Sequence, residues 1–244
     1  MRLQTFLARA GAASRRSVEA IIISGRVTVN GQVVRERGHP VDPARDSIGL
    51  DGREVSAPQK VYYMVNKPKG VTSTVRDAHA SRTVIDLLPP GSPRMYPVGR
   101  LDKLSTGIIL LTNDGELTHR LTHPRFGVKK IYRARVKGVL TDADVERIAK
   151  GVELEDGLTA PCRVRIVSRS KDDTDCEIEL HEGRKRQIRR VFAALGHDVI
   201  ELKRISFGRL GLGDLNEGEF RKLTDDEIKL LKTGTGHSAH QTNG

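Results

Sequence analysis

The stretch VGRLDKLSTGIILLTNDGEL, from Val98 to Leu117, predicts a loop, a buried strand and a helix in succession. Residues 107–112 are almost wholly apolar, as in a strand buried on both faces, and residues 115–122 have a helical pattern. Asp102 lies in the loop that enters the strand, with Arg100 two positions before it. A carboxylate in such a place can act as a nucleophile or general base, because its position and a nearby cation keep it ionised and aimed. The alternative is a structural Asp–Arg pair in a turn.

Strands and helices remain intermixed along residues 60–232. Strands are predicted at residues 61–65, 107–112, 130–138, 162–168, 174–180 and 199–206, and helices at 83–88, 115–122, 141–151, 185–195 and 225–232. Thr141 with Asp144 and Thr224 with Glu227 have the spacing of a helix capping box. Because the elements do not alternate regularly, the pattern predicts an α+β fold with a mixed, mainly antiparallel sheet and flanking helices.

Residues 1–58 predict a separate small module of two helices followed by β structure. Ser14 can cap the second helix, and the Asn30-Gly31 dipeptide between alternating valines is a hairpin signal. A linker is expected where this module meets the larger unit. The C-terminal residues 233–244 have no apolar period and are predicted to be disordered.

The chain is basic, since Lys and Arg exceed Asp and Glu by 11 among its 244 residues. Residues 1–40 contain seven Arg, no Lys and two Glu, and residues 125–137 contain six basic residues and no acidic one. Clustered cations attract polyanions, so the composition favours nucleic acid as the partner over an anionic membrane surface.

The composition also indicates the cellular setting. No stretch approaches the about 20 apolar residues of a membrane helix, and the N-terminus lacks the apolar segment of a secretory signal. Cys162 and Cys176 are the only cysteines, too few for a zinc clip or a disulfide framework. We therefore expect a cytoplasmic protein without a membrane partner.

Motifs for common cofactors are absent from the sequence. There is no GxxxxGK[ST] loop, and the glycine-rich segment near residue 211 lacks the third glycine and the βα context of a dinucleotide site. His119 and His123 are four apart on a predicted helix and could share a metal, but no third ligand lies nearby. RNA contact or packing at the helix end is the favoured interpretation of the pair. The sequence predicts chemistry without a metal or cofactor.

Four ordered motifs resemble one enzyme family. VNKPKG (Val65 to Gly70), GRLDKLSTGIILLTNDG, KKIYRARVKG (Lys129 to Gly138) and EGRKRQIRR (Glu182 to Arg190) are similar to the ribosomal RNA pseudouridine synthases of the RsuA/RluB type. The first 50 residues resemble the S4 RNA-binding module that precedes the catalytic domain in that group. The resemblance implies an S4-like domain over residues 1–58 and a catalytic domain over residues 60–232. It implies an isomerase that needs no cofactor and acts on ribosomal RNA, with the large subunit favoured over the small subunit.

The resemblance also implies roles for three residues. The aspartate of the GRLD motif falls on Asp102, the nucleophile that attacks the target uridine. The family's tyrosine falls on Tyr132, which stacks on the flipped base and helps to move the C5 proton. The family's arginine falls on Arg189, which pairs with the catalytic carboxylate. Residues 103–106 depart from the usual family pattern, and this departure bears on substrate choice rather than on catalysis.

The residues themselves are compatible with these roles. A base cannot be reached while it is stacked, so an enzyme must extrude it and offer an aromatic face in exchange. Tyr132 shares a strand face with Ala134 and Val136, so it is predicted to point inward. Arg189 borders the apolar stripe of its predicted helix and can reach inward to a carboxylate. The alternatives are an ordinary core tyrosine and a solvated basic helix.

The other basic residues near the motifs are predicted to contact RNA phosphates. Several of them lie around the ends of the second predicted helix, whose N-terminus adds positive charge. Solvation alone is the alternative for these arginines, and a structural role is the alternative for the two lysines beside Pro68. The predicted RNA contacts are Arg15, Arg16, Arg26, Lys67, Lys69, Arg100, Arg133, Arg135, Arg184, Lys185, Arg186 and Arg190.

The expected partner is ribosomal RNA or an assembling ribosomal subunit, bound by a monomer. Two other classes of function use the same residues. A non-catalytic RNA-binding or ribosome-assembly protein would need only the basic surfaces. An acid–base hydrolase built on Asp102 would need a partner carboxylate or an activated histidine, and the motif offers neither. Asp102, Tyr132 and Arg189 in matched motifs favour the isomerase.

Overall fold

The computed structural model describes residues 1–13, 15–56, 59–75 and 81–233. For Arg15 and Arg16 the description is limited to the backbone. The predicted cap at Ser14, the RNA contacts predicted for these two arginines and the C-terminal tail therefore lie outside the described residues. The chain divides into two compact units, Met1–Lys60 and Val61–Gly244. In the described ranges, no helix is long and apolar enough to cross a membrane.

The first unit contains two helices and a small antiparallel sheet. Its elements are α1 (Leu3–Arg9), α2 (Arg15–Ile23), β1 (Val27–Val29), β2 (Gln32–Val33), β3 (Ile48–Leu50) and β4 (Arg53–Glu54). The strand order is β2-β1-β3-β4. Asn30 and Gly31 both have positive φ, 51° and 80°, as the predicted type I′ hairpin turn requires. Leu3, Phe6 and Val18 belong to the unit's own hydrophobic core.

The second unit is built on one large sheet. Its elements are β5 (Tyr62–Lys67), a first 3₁₀ turn (Val84–Leu87), β6 (Tyr96–Val98), β7 (Thr106–Thr112), α3 (Gly115–Thr122), a second 3₁₀ turn (Pro124–Phe126), β8 (Lys130–Lys137), α4 (Asp142–Lys150), β9 (Glu153–Leu154), β10 (Gly157–Leu158), β11 (Arg163–Arg169), β12 (Asp173–Leu180), α5 (Gln187–Ala194), β13 (Val199–Phe207), β14 (Leu210–Gly211), β15 (Phe220–Lys222) and α6 (Asp225–Thr233).

The strand order of this sheet is β11-β12-β8-β13-β7-β5-β15, with β6 on β7 and β14 on β13. Among the strand pairs of the described chain, only β7 and β13 run parallel, and the others are antiparallel. Strands β9 and β10 form a separate hairpin. The predicted α+β fold with a mixed, mainly antiparallel sheet is confirmed.

The predicted elements of this unit agree with the structure within two residues at each end, with one exception in type. Where a helix was predicted at residues 83–88, Val84–Leu87 form a short 3₁₀ turn. Pro89 and Pro90 follow, and a residue before proline is kept out of the α region, so Leu88 is extended with ψ 159°. The sequence did not predict the short strands β6, β9, β10, β14 and β15, because two or three residues cannot show a period.

The two faces of the sheet support different cores. In the β5–β7 register, Met64 lies opposite Leu110 and Val65 lies opposite Ile109. The first pair belongs to a core shared with α3 and α6, and the second pair belongs to a core under the first 3₁₀ turn. A third core lies between strands β8, β12 and β13 and helices α4 and α5. Alternate residues of a strand point to opposite faces, so strictly apolar strands such as β7 can serve two cores.

The two halves of the sheet meet at the short parallel pairing of β7 with β13. This pairing includes only two residue pairs in the described structure, Thr106 with Lys203 and Gly107 with Arg204. Gly107 has φ +104°, and a Cβ atom there would lie 2.2 Å from the Arg204 carbonyl oxygen. Only glycine permits this approach. The Nε of the buried Arg204 donates a hydrogen bond to the Ile108 carbonyl at 2.7 Å. Ile108 follows the last residue of β7 that pairs with β13, so the Arg204 side chain gives this carbonyl a hydrogen-bond partner.

Candidate active site

Asp102 is half-buried in a tight turn just before β7. The Ser105 N–H donates to the Asp102 carbonyl at 3.0 Å and closes the turn. Leu101, the preceding residue, is buried in the core under the first 3₁₀ turn. The turn is therefore fixed to the core on one side, and the Asp102 side chain retains access to solvent.

The segment after β5 is hydrogen-bonded to the residues on both sides of Asp102. The Ser73 hydroxyl accepts a hydrogen bond from Leu101 N–H at 3.0 Å and donates one to the Leu101 carbonyl at 2.9 Å. The Gly70 N–H donates to the Lys103 carbonyl at 2.8 Å. Because both neighbours of Asp102 are bound to the same segment, the backbone fixes the direction in which the carboxylate leaves the turn.

Lys67 supports the same turn from inside the protein. Its side chain is fully buried, and Nζ donates to the carbonyls of Pro68 at 2.9 Å, Val71 at 2.7 Å and Lys103 at 3.4 Å. Burial lowers the pKa of Lys67 to about 8, against the opposing charges of nearby carboxylates that include Asp102. The prediction that Lys67 contacts RNA is wrong, because a fully enclosed ammonium group cannot reach a phosphate.

Tyr132 lies on β8 where two cores meet. It packs against the core that contains Leu101 and against the core under α4 and α5. Ala134 and Val136 on the same strand face are fully buried, and the alternate residues are exposed, so the predicted orientation of the strand is confirmed. The guanidinium carbon of the buried Arg204 is 6.0 Å from the centre of the Tyr132 ring. The fold therefore brings this tyrosine to the core that anchors the Asp102 turn.

Arg189 lies on α5 and is half-buried. Its Nη1 donates to the Val199 carbonyl at 2.8 Å, and its Nε is buried without a partner in the described structure. Burial lowers the pKa of Arg189, and Arg186 lowers it further, whereas the charge of Asp102 raises it. The predicted direct pair is not formed, since no ion pair joins Arg189 and Asp102 among the described residues. The guanidinium is bound to a backbone carbonyl instead and attracts the carboxylate from a distance.

Several arginines that were predicted to contact RNA bind carboxylates of the protein. Arg26 binds Asp51 through two hydrogen bonds of 2.7 and 2.5 Å. Arg190 binds Asp156 in the same way, at 2.8 and 3.0 Å. Arg135 binds a carboxylate on β12 at 3.2 Å. These pairs give the three arginines partners within the protein, and their predicted phosphate contacts remain predictions.

Arg184 is also used within the protein. It donates to the carbonyls of Asp156, Gly157 and Leu158 at 3.2, 2.8 and 2.6 Å. These bonds tie the segment before α5 to the β9–β10 hairpin. The predicted RNA contact of Arg184 is therefore corrected to a structural role. Sequence reasoning missed it because the hairpin lies about 26 residues away along the chain.

The remaining predicted RNA contacts are exposed, and their role stays a prediction. They are Lys69, Arg100, Arg133, Lys185 and Arg186. Arg133 lies on the strand face opposite Tyr132, whereas Arg100 is two residues from Asp102. The sequence analysis overlooked Ser73 and Arg204, because neither residue type nor spacing distinguishes a serine or an arginine that the fold buries.

The histidine pair does not form part of a metal site in the described structure. No group of three or more His, Cys, Asp or Glu residues is placed there to hold a metal ion. The ring centres of His119 and His123 are 5.0 Å apart, and Phe126 packs edge-on against both rings. The pair belongs to an aromatic cluster at the end of α3.

Comparison with known proteins identifies the family of this chain. Residues 61–194 match the RNA pseudouridylate synthases, and this match covers more than half of the sequence. The chain belongs to the RNA pseudouridylate synthase family. Residues 1–46 of this RNA pseudouridylate synthase match the S4 domain.

Full-length relatives agree with this assignment to the RNA pseudouridylate synthases. Ribosomal large subunit pseudouridine synthase B of Bacillus subtilis (strain 168) is 41% identical over 238 residues, which cover 97% of each chain. An uncharacterized RNA pseudouridine synthase of Aquifex aeolicus (strain VF5) is 41% identical over 237 residues, covering 97% of this chain and 95% of the relative. A crystal structure of a pseudouridylate synthase superposes with a TM-score of 0.68 at 30% identity, covering 95% of this chain and 99% of the other.

The class of enzyme follows from these matches. RNA pseudouridine synthases are isomerases, so the predicted activity on RNA and the predicted S4-like module are confirmed. The alternative of a non-catalytic RNA-binding protein is not supported. Asp102, Tyr132 and Arg189 all lie in the region that matches the synthase family.

Proposed function

We propose that this RNA pseudouridine synthase isomerises a uridine of large-subunit ribosomal RNA, with Asp102 as the nucleophile. The observation that carries the proposal is the position of Asp102 on a turn in which both neighbouring residues, Leu101 and Lys103, are hydrogen-bonded to the segment after β5. Tyr132 packs on the core that anchors the turn, and Arg189 attracts the carboxylate electrostatically. A carboxylate held in this way is aimed at a reacting atom before the substrate arrives.

The reaction breaks the bond between the ribose C1′ and uracil N1 and forms a bond between C1′ and C5. The C5 proton is lost and N1 gains a proton, so atoms and electrons balance without an oxidant or an energy source. Attack by the Asp102 carboxylate divides this exchange into a step that frees the uracil and a step that rejoins it through C5. Between the two steps the uracil must turn within the site while it stays bound.

The reaction also requires a surface on which the extruded base can stack and positive charge near the carboxylate. Tyr132 is proposed to supply the first, and Arg189 and Lys67 the second. The target base has to leave its stack, and the Tyr132 ring offers a new stacking surface close to the Asp102 turn. The same tyrosine is the candidate group for removing the C5 proton. Arg189 and the buried Lys67 provide positive charge near the carboxylate without pairing with it directly. The carboxylate therefore remains available to the ribose.

The choice of large-subunit RNA rests on the Bacillus subtilis relative, whose name describes a ribosomal large subunit pseudouridine synthase. The S4 domain supplies a second RNA-binding unit that is separate from the catalytic unit. In this proposal a monomer acts in the cytoplasm on ribosomal RNA or on an assembling subunit. A small-subunit uridine is the alternative target.

The test of the nucleophile is Asp102→Asn, assayed by tritium release from ribosomal RNA labelled at uridine C5. We expect normal folding and RNA binding, with turnover reduced more than about a thousand-fold. The matched control is Asp214→Asn, which changes an exposed carboxylate on the segment after β14. Turnover near the wild-type rate in Asp102→Asn would overturn the assignment of the nucleophile.

The target is tested separately by mapping pseudouridines in ribosomal RNA from a deletion strain. We expect one large-subunit position to lose its pseudouridine and to regain it when the wild-type gene is restored. Restoration with Asp102→Asn should fail. Loss of a small-subunit position instead would reject the proposed target but leave the proposed chemistry intact.

A further inference from the structure

An exposed aromatic and basic cluster lies at the end of α3 and in the second 3₁₀ turn. We call it the histidine patch, and it consists of His119, Arg120, His123, Arg125 and Phe126. The two histidine ring centres are 5.0 Å apart. Phe126 packs edge-on against His119 at 6.0 Å and against His123 at 6.3 Å, and the Arg125 guanidinium carbon is 4.5 Å from the Phe126 ring centre. The patch thus brings two imidazole rings, a phenyl ring and the Arg125 guanidinium close together.

The polar side chains of the patch have no ion-pair partner in the described part of the chain. His119, Arg120, His123 and Arg125 are exposed, and none forms an ion pair within the described ranges of the chain. Arg165 offers a contrast, because it is exposed on β11 and binds Glu177 at 2.7 Å. Ion pairs of this kind offset the charge of several other exposed cations of the second unit. The patch therefore keeps a positive potential that paired surfaces lose.

The end of α3 that carries the patch lies beside the segment that precedes the Asp102 turn. A Cβ atom at Gly99 would lie 3.6 Å from the Thr122 side chain, so the end of α3 abuts the segment that leads through Arg100 to Asp102. A local structural role accounts for only one member of the patch. His123 accepts a hydrogen bond from Arg125 N–H at 3.2 Å and thereby caps the 3₁₀ turn. Capping explains neither the exposed His119 ring nor the unpaired arginines.

We propose that the histidine patch binds the single-stranded RNA that flanks the target uridine. Unpaired bases stack on aromatic and guanidinium planes whatever their sequence, and arginines beside the rings bind the phosphates. A strand laid on the patch would lead past Arg100 to Asp102. This inference rests on the proposed function in one respect, since it takes Asp102 as the point to which the strand leads.

The first test separates a phosphate contact on the patch from a general effect of charge. Arg125→Ala and the control Arg165→Ala each remove one positive charge, and both are titrated with salt against unmodified large-subunit ribosomal RNA. For Arg125→Ala we expect weaker binding and a slope of log affinity against log salt that is smaller by about 0.7–0.9. Arg165→Ala should keep the wild-type slope. Equal slopes for the two variants, whether changed or unchanged, would overturn the proposal.

The second test detects stacking. His119→Ala is compared with wild type for binding to a short oligouridylate strand and to an RNA duplex. We expect a loss of affinity of about 5- to 100-fold for the single strand and little change for the duplex, because only unpaired bases can stack on a side chain. An equal effect on both RNAs, or no effect on either, would contradict the stacking role.

Both tests measure binding without turnover, so they are independent of the chemistry at Asp102. If Asp102→Asn stays active while the patch variants bind as expected, the nucleophile assignment fails and the patch stands. If Asp102→Asn is inactive while the patch variants bind like wild type, the patch fails and the nucleophile stands.

Discussion

At the scale of single residues, Ser73 holds the residue that precedes Asp102, the proposed nucleophile. Its hydroxyl bonds to both the N–H and the carbonyl of Leu101, the residue before Asp102. In Ser73→Ala the N–H and the carbonyl of the buried Leu101 both lose their hydrogen bond to the Ser73 hydroxyl, and the turn can shift. We expect the single-turnover rate at saturating enzyme to fall by about 10- to 100-fold, with RNA affinity unchanged.

Two further variants decide whether Ser73 positions the turn or only stabilises the fold. Ser73→Thr keeps the hydroxyl and should restore much of the rate. Ser92→Ala removes an exposed hydroxyl that bonds to the Pro89 carbonyl at 2.7 Å, and it should behave like wild type. A Ser73→Ala enzyme with a normal rate, or one whose affinity falls as much as its rate, would contradict the positioning role.

Lys67 makes a prediction about the pH dependence of stability. Its pKa is about 8 in the folded protein, below the ordinary value of 10.5, because the ammonium group is buried. Between these two values the unfolded chain binds a proton that the folded chain has released, so this residue makes the free energy of unfolding rise with pH. Wild type should gain stability relative to Lys67→Met from pH 8 to 10.5, by up to about 1.4 kcal/mol per pH unit.

The measurement for Lys67 is urea unfolding of both proteins at several pH values across that window. Subtraction of the two curves removes groups that both proteins share, such as Lys130, whose pKa is also lowered to about 8 by burial. A difference in free energy that does not change with pH would show that Lys67 titrates normally. The prediction from burial would then be wrong.

At the scale of elements, the parallel pairing of β7 with β13 depends on Gly107. In Gly107→Ala the new methyl group would lie 2.2 Å from the Arg204 carbonyl oxygen, on a residue whose φ is +104°. Steric overlap and backbone strain act together, so we expect a loss of about 3 kcal/mol or more in the free energy of unfolding. Gly211→Ala on β14 is the control, because a Cβ atom there meets nothing within 4 Å.

The same substitution should affect catalysis, because β7 begins directly after the Asp102 turn. We expect Gly107→Ala to have a lower midpoint of urea unfolding and, where it still folds, a lower single-turnover rate. Gly211→Ala should change neither quantity appreciably. A Gly107→Ala protein as stable as the control would mean that the two strands can separate without cost.

At the scale of the whole molecule, binding and chemistry are assigned to different units. The unit Met1–Lys60 has its own core, and its residues 1–46 match the S4 domain, whereas Asp102, Tyr132 and Arg189 lie in the second unit. We expect a fragment of residues 61–244 to keep the chemical step and to bind ribosomal RNA more weakly. Its salt slope should be smaller by about 0.7–0.9 for each phosphate that the fragment no longer neutralises.

The fragment is compared with the full chain by salt titration and by single-turnover assay at saturating enzyme. A folded fragment with unchanged affinity and slope would show that the arginines of the first unit are merely solvated. A fragment that binds RNA but does not react at saturation would show that the S4 domain also positions the RNA at Asp102. Either result would reject the proposed division of labour between the two units.

Patterns among residues that are close together in the sequence were sufficient to predict much of this architecture. Helix α3 was predicted at 115–122 and occupies those residues. The capping boxes of Thr141 with Asp144 and of Thr224 with Glu227 are formed as their spacing predicted. Such features depend on residues three or four apart, or on alternation along one strand, so the sequence alone contains their physical cause.

The sequence by itself determined the fold class, the enzyme family and the three candidate catalytic residues, because these depend on local periodicity and on ordered motifs. Only the tertiary structure decided which arginine and lysine side chains are accessible for contact with RNA. It buried Lys67 and Arg204, bound Arg190 to Asp156, and left Arg125 unpaired. An arginine or lysine looks the same in a sequence whether its partner is water, a carbonyl or a carboxylate. That partner comes from elements distant along the chain, and only folding brings them within hydrogen-bonding distance.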